Sequence, residues 1–414
     1  IRELVDRLPR DVPEDAAERS PAASTRWRLA KLLDWHRRED KASWWAYYAR
    51  CAMTDDELVE DAEAIGAITY AGVVGPAGKG MVHRYRFDPA QEHKLDPGDT
   101  PHDPRTEKTA GQLILVDSDA GIIELRRGPS LADTAHPTSL IPGPPIPTTS
   151  MREAMQRIAS WVIENGIDGP GRYQGLRDLL AGRPPRVRHR AQGGALVHAG
   201  ADPVVATCDL VIDLEASCLA VQGPPGCGKT YTGAHVIVEL VRRGRRVGVS
   251  ATTHRAIANV LEKTAQVAAD RGQLVRMMQK CDAGQVCGVP DIRRAEDNGS
   301  IATALLAGEV DVVAGTSWLF ADARLDGLLD VVVIDEAGQM SLANACAVGT
   351  AAQSLVLLGD PQQLAQPSQG IHPPGAERSA LEHVLGGSDT IAPERGVFLP
   401  TTFRLHPDVC AFVS

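Results

Sequence analysis

Apolar positions change their spacing at three places along the chain, and each change predicts a different kind of element. In "STRWRLAKLLDWHRREDKASWWAYYARC", Trp27, Leu29, Leu32, Leu33 and Trp35, then Trp44, Trp45 and Tyr48, recur at roughly helical intervals. "TDDELVEDAEAIG" predicts a second helix, with Thr54 as N-cap, Glu57 three residues on and Gly66 as the stop. From about residue 66 to 130 the pattern shortens to strands broken by Gly, Pro and Asp: "AITYAGVVG", "MVHRYRF" and "GQLILVDSDAGIIELRRG", the last a hairpin turning on "SDAG". A Pro-rich linker, 136–149, follows, then an amphipathic helix over 151–165 and a basic stretch, "RPPRVRHR", at 183–190. After about 204 the chain alternates buried-strand runs with helices. The runs are "CLAVQG", "RVGVSA", "QLVRM", "VDVVAGT", "DVVVID", "SLVLLGD" and "GVFLPTTF". Continuous apolar runs of this kind, separated by helices, predict a mostly parallel α/β sheet covered by helices on both faces. The expected organisation is a helical segment over 1–65, a small β-barrel insert over 66–135, a linker with helices over 136–203 and the α/β lobe over 204–414.

Composition narrows the class. Of 414 residues, 43% are hydrophobic and 23% charged, as in ordinary globular proteins, so a disordered chain is excluded. No run of 18 apolar residues and no signal-peptide pattern is present, so no membrane partner and a cytoplasmic location are expected. The chain opens on Ile1 rather than Met, as a piece of a longer polypeptide would. Eight cysteines are scattered without a CxxC pair, which reads as free buried thiols and not as a zinc site. A formal net charge of -10 argues against a phosphate-binding coat, though a groove needs only local positive potential.

Chemistry concentrates in three strand ends. "GPPGCGKT", Gly223 to Thr230, lies between a strand and a helix and matches G-x-x-x-x-G-K-[ST]. Its glycines let the backbone wrap a phosphate, and the following helix offers free amides and a positive dipole end. Lys229 is placed to reach β- and γ-phosphates, and Thr230 to hold Mg²⁺. In "DVVVIDEAGQM" a buried strand runs straight into Asp335 and Glu336. Neighbouring carboxylates repel unless a cation relieves them, so the pair fits a metal ligand, Asp335, beside a general base, Glu336. "LLGDPQQLAQ" repeats the device with Asp360 and Gln363, whose neutral amide can contact a γ-phosphate or the lytic water.

In order, "QGPPGCGKT", "SATTHRAIANVL", "VVAGTSWLF", "DEAGQ", "GDPQQL" and "TTFRLHPDVCAFVS" resemble the motifs of a superfamily 1B helicase motor, over 204–414. The subgroup includes the nonsense-mediated-decay RNA helicase and the replication nuclease-helicases. The resemblance implies a RecA-like first lobe using ATP and Mg²⁺. It extends the nucleotide-contacting set to Gln222, Gly223, Pro224, Pro225, Gly226, Cys227, Gly228, Lys229, Thr230, Tyr231, Gln339 and Asp360. It gives Arg404 the role of a γ-phosphate sensor and assigns single-strand contacts to Thr252, Thr253, His254 and Thr316. It implies a single-stranded nucleic-acid partner, DNA in preference to RNA, with 5′-to-3′ stepping. It also implies a second RecA-like lobe C-terminal to this chain. The region before the motor more loosely resembles that of bacterial proteins fusing a RecB-like nuclease to such a helicase, which would place a nuclease domain ahead of Ile1.

Two departures stand out: Cys227 sits where the family has Thr or Ser, and no adenine-reading Gln is placed upstream of the phosphate loop. "HRYRF" at 83–87 has the composition of a base-stacking surface, or of a two-sided strand. Without the second lobe and its arginine, the chain is expected to bind nucleotide but hydrolyse it slowly. The alternative reading is a nucleotide-dependent regulatory switch or a recruitment module without unwinding activity.

Overall fold

Two short helices, α1 (Arg2–Arg7) and α2 (Pro21–Leu32), open the chain. The second begins where Ser20 accepts a hydrogen bond from the Ala23 amide and Pro21 occupies a position that needs no donor. These features belong to a computed structural model that describes residues 1–190, 193–364 and 367–403. Two compact units emerge: Ile1–Arg37 together with Thr148–Ser414, and Arg38–Pro147. The helical stretch expected over 1–65 is therefore divided, with α3 (Trp35–Cys51) passing from the first unit into the second.

In the second unit, α4 (Asp55–Val59) has the expected capping box, with Glu57 N–H donating to Thr54 Oγ1 and Thr54 N–H to Glu57 Oε2. It stops at Val59, well short of Gly66. Beyond it the chain doubles back: Ile65 pairs with Leu140, and Gly66 rests on the helix backbone. A Cβ there would collide with Val59 N and lie 2.6 Å from Asp55 O. Gly66 thus permits a close crossing and is not a helix stop. The strands are β1 (Thr69–Ala77), β2 (Gly80–Arg86), β3 (His102–Asp103), β4 (Lys108–Thr109), β5 (Gln112–Asp117) and β6 (Ile122–Arg127). They form an antiparallel sheet of order β1-β2-β6-β5 and a separate β3-β4 ribbon. Tyr85, Leu113, Ile123 and Leu125 fill its core. In "HRYRF", Tyr85 and Phe87 are buried and Arg84 pairs with Glu124, so the alternation is that of a two-sided strand.

The first unit continues with α5 (Thr149–Asn165), α6 (Gln174–Ala181), α7 (Pro203–Ile212), β7 (Cys218–Gln222), α8 (Lys229–Arg242), β8 (Val247–Ser250) and α9 (His254–Asp270). There follow β9 (Met277–Lys280), β10 (Arg293–Ala295), α10 (Asn298–Leu306), β11 (Val312–Gly315), α11 (Ser317–Phe320), β12 (Leu329–Ile334) and α12 (Leu342–Gly349). The last elements are β13 (Ala352–Gly359), α13 (Ala380–Leu385) and β14 (Gly396–Phe398). All eight strands are parallel, in the order β10-β9-β11-β8-β12-β13-β7-β14. Residues alternate between two cores. Val332, Ile334, Leu355 and Leu357 join one, Val331, Val333, Val356 and Leu358 the other. That two-sided burial is why the strand runs are continuously apolar.

The predicted α/β architecture is the one observed, a parallel sheet with helices on both faces. Its strand "QLVRM" begins later, at Met277, and "GVFLPTTF" is strand only over Gly396–Phe398. Among the described residues no helix is long and apolar enough to cross a membrane. Cys51, Cys208, Cys218, Cys227, Cys281, Cys287 and Cys346 are free thiols, and Cys410 lies outside the described residues.

Candidate functional site

Strand order decides what meets at the carboxyl edge of the sheet. β7, which feeds the phosphate loop, is separated from β12 by β13 alone. The end of β13 holds both neighbours: Gly223 N–H donates to Gly359 O (3.1 Å), and Ala337 N–H to Leu358 O (2.8 Å). The approach requires glycine. A Cβ on Gly359 would lie 2.7 Å from Gly338 N, and one on Gly338 would collide with Asp360 O. Across this narrow spacer Thr230 Oγ1 donates to Asp335 Oδ2 at 3.3 Å. Residues 105 positions apart in the chain are thereby brought into one cradle.

The loop has the backbone that phosphate wrapping needs. Gly226 and Gly228 take positive φ (78° and 89°), and Gly228 serves as N-cap of the 14-residue α8, with Lys229, Thr230 and Tyr231 in its first turn. Lys229 is buried, its Nζ donating to Gly223 O (2.8 Å) and Pro224 O (3.2 Å). Pro225 stands exposed at the loop's tip, and its carbonyl accepts from Thr402 Oγ1 (2.9 Å). Cys227 is buried, with Sγ filling the space a side chain on Gly223 would need. Burial raises its thiol pKa, against the pull of Lys229, so it is an inert filler.

Asp335 is 4% exposed. Burial, and then the adjoining Glu336 carboxylate, push its pKa up to about 6, while a hydrogen bond from the Glu336 amide, Lys229 and Thr230 pull the other way. Glu336 is half-buried at φ 53°, a left-handed turn that swings its side chain off the strand line. Gln339 Nε2 donates to Gln363 Oε1 (3.3 Å), which joins the β12 and β13 loops. Asp360 is buried and its Oδ1 accepts from Gln362 N–H (3.0 Å), so it braces its own turn.

Hydroxyl and carboxylate oxygens are hard donors, and Mg²⁺ takes few protein ligands, completing its octahedron with water and substrate phosphates. Thr230 and Asp335 fit that ion, and the glycine loop at the head of α8 fits a triphosphate. Among the described residues no group of three or more His, Cys, Asp or Glu is arranged to hold a metal.

The other candidate residues divide. Thr252, Thr253, His254 and Thr316 lie past the tips of β8 and β11, on the same edge, since Gly315 and Ile334 both pair with Ser250. Thr253 spends its hydroxyl capping α9, where it accepts from Ala256 N–H. Thr316 is the N-cap residue of α11 without a side-chain bond, and His254, its pKa lowered by burial, has a buried Nδ1 without a partner. Gln222 is not brought to the phosphate loop by its side chain. Its amide donates to Asp389 O (2.8 Å) and accepts from Ile391 N–H (2.6 Å), pinning a distant loop. Arg404 lies outside the described residues. The basic stretch at 183–190 is spent internally: Arg186 pairs with Asp178 (2.5 Å) and Arg188 with Glu215 (3.4 Å).

Sequence reasoning missed two features. Ser250, fully buried, accepts the Asp335 amide on its carbonyl and has an unpartnered hydroxyl. Leu399–Phe403 lies along the phosphate loop, with Leu399 N–H on Gln222 O and Phe403 N–H on Gly226 O. The repeated amides and the Thr402 hydroxyl carry no periodic signal, so only coordinates reveal this strap.

The fold and these strand tips define an open parallel α/β lobe of RecA-like type with a phosphate loop. Residues 206–373 match the profile of the AAA domain family. The DNA replication ATP-dependent helicase/nuclease JHS1 of Arabidopsis thaliana is 29% identical over 153 residues, 35% of this chain and 11% of that protein. The chain therefore spans a small part of this relative's length. Arterivirus nonstructural protein 10 (helicase) with DNA aligns over 85% of this chain and 55% of its own, at 13% identity and a TM-score of 0.36. Pif1 helicase from Candida albicans aligns over 50% of this chain and 41% of its own, at 19% identity and a TM-score of 0.27.

Proposed function

We propose that this chain is the nucleotide-binding lobe of an ATP-dependent nucleic-acid helicase or translocase. The observation that carries the reading is the 3.3 Å approach of Thr230 Oγ1 to Asp335 Oδ2 over the glycine-built tip of β13. In this reading the amides of Gly226 to Tyr231 hold the phosphates, and Lys229 leaves its loop carbonyls for the β- and γ-phosphates. Thr230 and Asp335 hold Mg²⁺, which would supply charge neutralisation at the phosphates. Glu336 accepts the proton of the attacking water, and the Gln339–Gln363 pair senses the γ-phosphate. The strand-tip residues Thr252, His254 and Thr316 share the carboxyl edge and contact a single strand, DNA in preference to RNA. A second RecA-like lobe in the full-length protein supplies the remaining transition-state charge, so this chain alone turns over slowly. The helicase/nuclease similarity supports the nucleic-acid partner.

Calorimetric titration of ATP tests the reading. Binding is expected with MgCl₂, at least tenfold weaker in EDTA, and lost in Lys229→Ala, a scale set by loss of direct phosphate and metal contacts (about 1.4 kcal/mol per tenfold). Equal affinity of wild type and Lys229→Ala would sink it.

A further inference from the structure

The phosphate loop has a different neighbour on each flank. β7, which feeds it, lies between β13 and β14, so the chain leaving β14 runs along one side of the loop while Asp335 stands on the other, beyond β13. That strap touches the loop at three carbonyls. Leu399 N–H donates to Gln222 O (2.8 Å), Thr402 Oγ1 to Pro225 O (2.9 Å) and Phe403 N–H to Gly226 O (2.9 Å). A trans peptide is planar, with its C=O and N–H on opposite sides. Holding the Pro225 carbonyl toward the strap therefore turns the Gly226 N–H away from it, to the flank that carries Thr230 and Asp335. Among the described residues that amide meets no acceptor.

The tie matters because the helix does not set this peptide. The amides of Lys229, Thr230 and Tyr231 are oriented by α8, whose first turn they occupy. Gly226 stands two residues ahead of the N-cap, Gly228. The amide between them, that of Cys227, is held within the loop by Pro224 O (3.3 Å). Gly226, at φ 78°, has no side chain to resist a turn of its peptide plane, since glycine takes either sign of φ at little cost. A flipped 225–226 peptide would present a carbonyl where a phosphate needs a donor. Among the described residues Thr402 is the one hydrogen-bond partner of the Pro225 carbonyl, so its hydroxyl chooses between the two orientations.

We propose that Thr402 is a positioning residue for phosphate: its hydroxyl holds the Pro225–Gly226 peptide so that the Gly226 amide faces the bound phosphates. This rests on the phosphate-loop reading above. The test compares Thr402→Val, which keeps the branched shape and removes the hydroxyl, with Thr402→Ser, which keeps the hydroxyl. Calorimetric titrations use inorganic tripolyphosphate and ATP, each with Mg²⁺. Thr402→Val should bind both about two- to tenfold more weakly, the worth of one neutral hydrogen bond. The factor should be the same for the two ligands, because the loss falls on phosphate contacts. Thr402→Ser should bind as wild type does. In ¹⁵N-glycine-labelled protein the Gly226 amide resonance should move on saturation with tripolyphosphate in wild type and Thr402→Ser. In Thr402→Val it should stay near its unliganded position, whereas a merely structural hydroxyl would leave it moving in all three. Wild-type affinity in Thr402→Val, an equal loss in Thr402→Ser, or a Gly226 amide that ignores the ligand while that of Gly228 answers it would overturn the proposal. Silence of both glycine amides, with tripolyphosphate affinity indifferent to Lys229→Ala, would instead remove the phosphate-loop reading beneath it.

Discussion

Asp335 carries its electrostatics into both stability and metal binding. Its carboxyl is held at about 6, above the ordinary value near 3.9 of an unfolded chain, so the folded state binds the proton more tightly. Stability is therefore higher below that window and is lost as pH rises from about 4 through about 6, the full cost reaching roughly 3 kcal/mol above it. In EDTA at pH 7.5, Asp335→Asn should melt higher than wild type, and the gap should shrink by pH 4.5. Scanning calorimetry across that range checks the sign, and Mg-ATP should stabilise wild type alone. Glu336→Gln makes a separable prediction: in the full-length protein, ATP binding persists while single-turnover hydrolysis falls by about 100-fold or more, the usual share of a general base. These two carboxylates were legible in sequence because they are contiguous and end an apolar run. The use made of Gln222 was not legible, since its partners, Asp389 and Ile391, are 167 and 169 positions away.

Among the elements, β13 is the one on which the site's geometry turns. Its tip keeps the phosphate loop and the Asp335 turn apart by one strand's width, and only glycine at 338 and 359 allows that spacing. Gly338→Ala must displace the Asp360 carbonyl, which should cost about 1–3 kcal/mol as overpacking does. It should also separate Gln339 from Gln363. Chemical denaturation measures the first effect, and the Mg²⁺ dependence of ATP binding reports whether the whole edge shifts. The strands themselves could be read from the chain, because burial on both faces leaves unbroken apolar runs. Their lateral order could not, because in a parallel sheet it is set by helical crossovers between segments far apart. The three-residue β10 is too short to show any period, and α4 ends at Val59, ahead of Gly66, which serves a backbone crossing and not a helix stop.

Across the whole molecule, the N-terminal residues bind the first unit together in a way no local pattern discloses. Leu8, Leu29, Leu32 and Leu33 are each 1% exposed or less and join the core that contains Met155, Ile158, Leu176 and Leu180. Arg28 adds a hydrogen bond to Leu180 O (2.5 Å). The helical spacing of these leucines announced an amphipathic helix but not which surface it would cover, since the covering surface lies more than a hundred residues downstream. Among the described residues, the core clusters of the first unit are built from its own segments, 1–37 and the chain after Pro147. Residues 1–37 should therefore matter more to the lobe's stability than the larger intervening unit does. Removing four buried leucines at about 2–5 kcal/mol each approaches or exceeds the whole stability of a typical domain, about 5–15 kcal/mol. A chain starting at Arg38 should lose the cooperative melt of the α/β lobe and its Lys229-dependent ATP binding, with only the melt of Arg38–Pro147 remaining. A chain in which residues 38–147 are replaced by a long Gly/Ser linker should retain both. If circular dichroism showed the reverse, with the lobe of the N-terminal deletion still melting cooperatively and that of the linker variant unfolded, the lobe would owe its core to the wrong segment and the division into units would have to be redrawn.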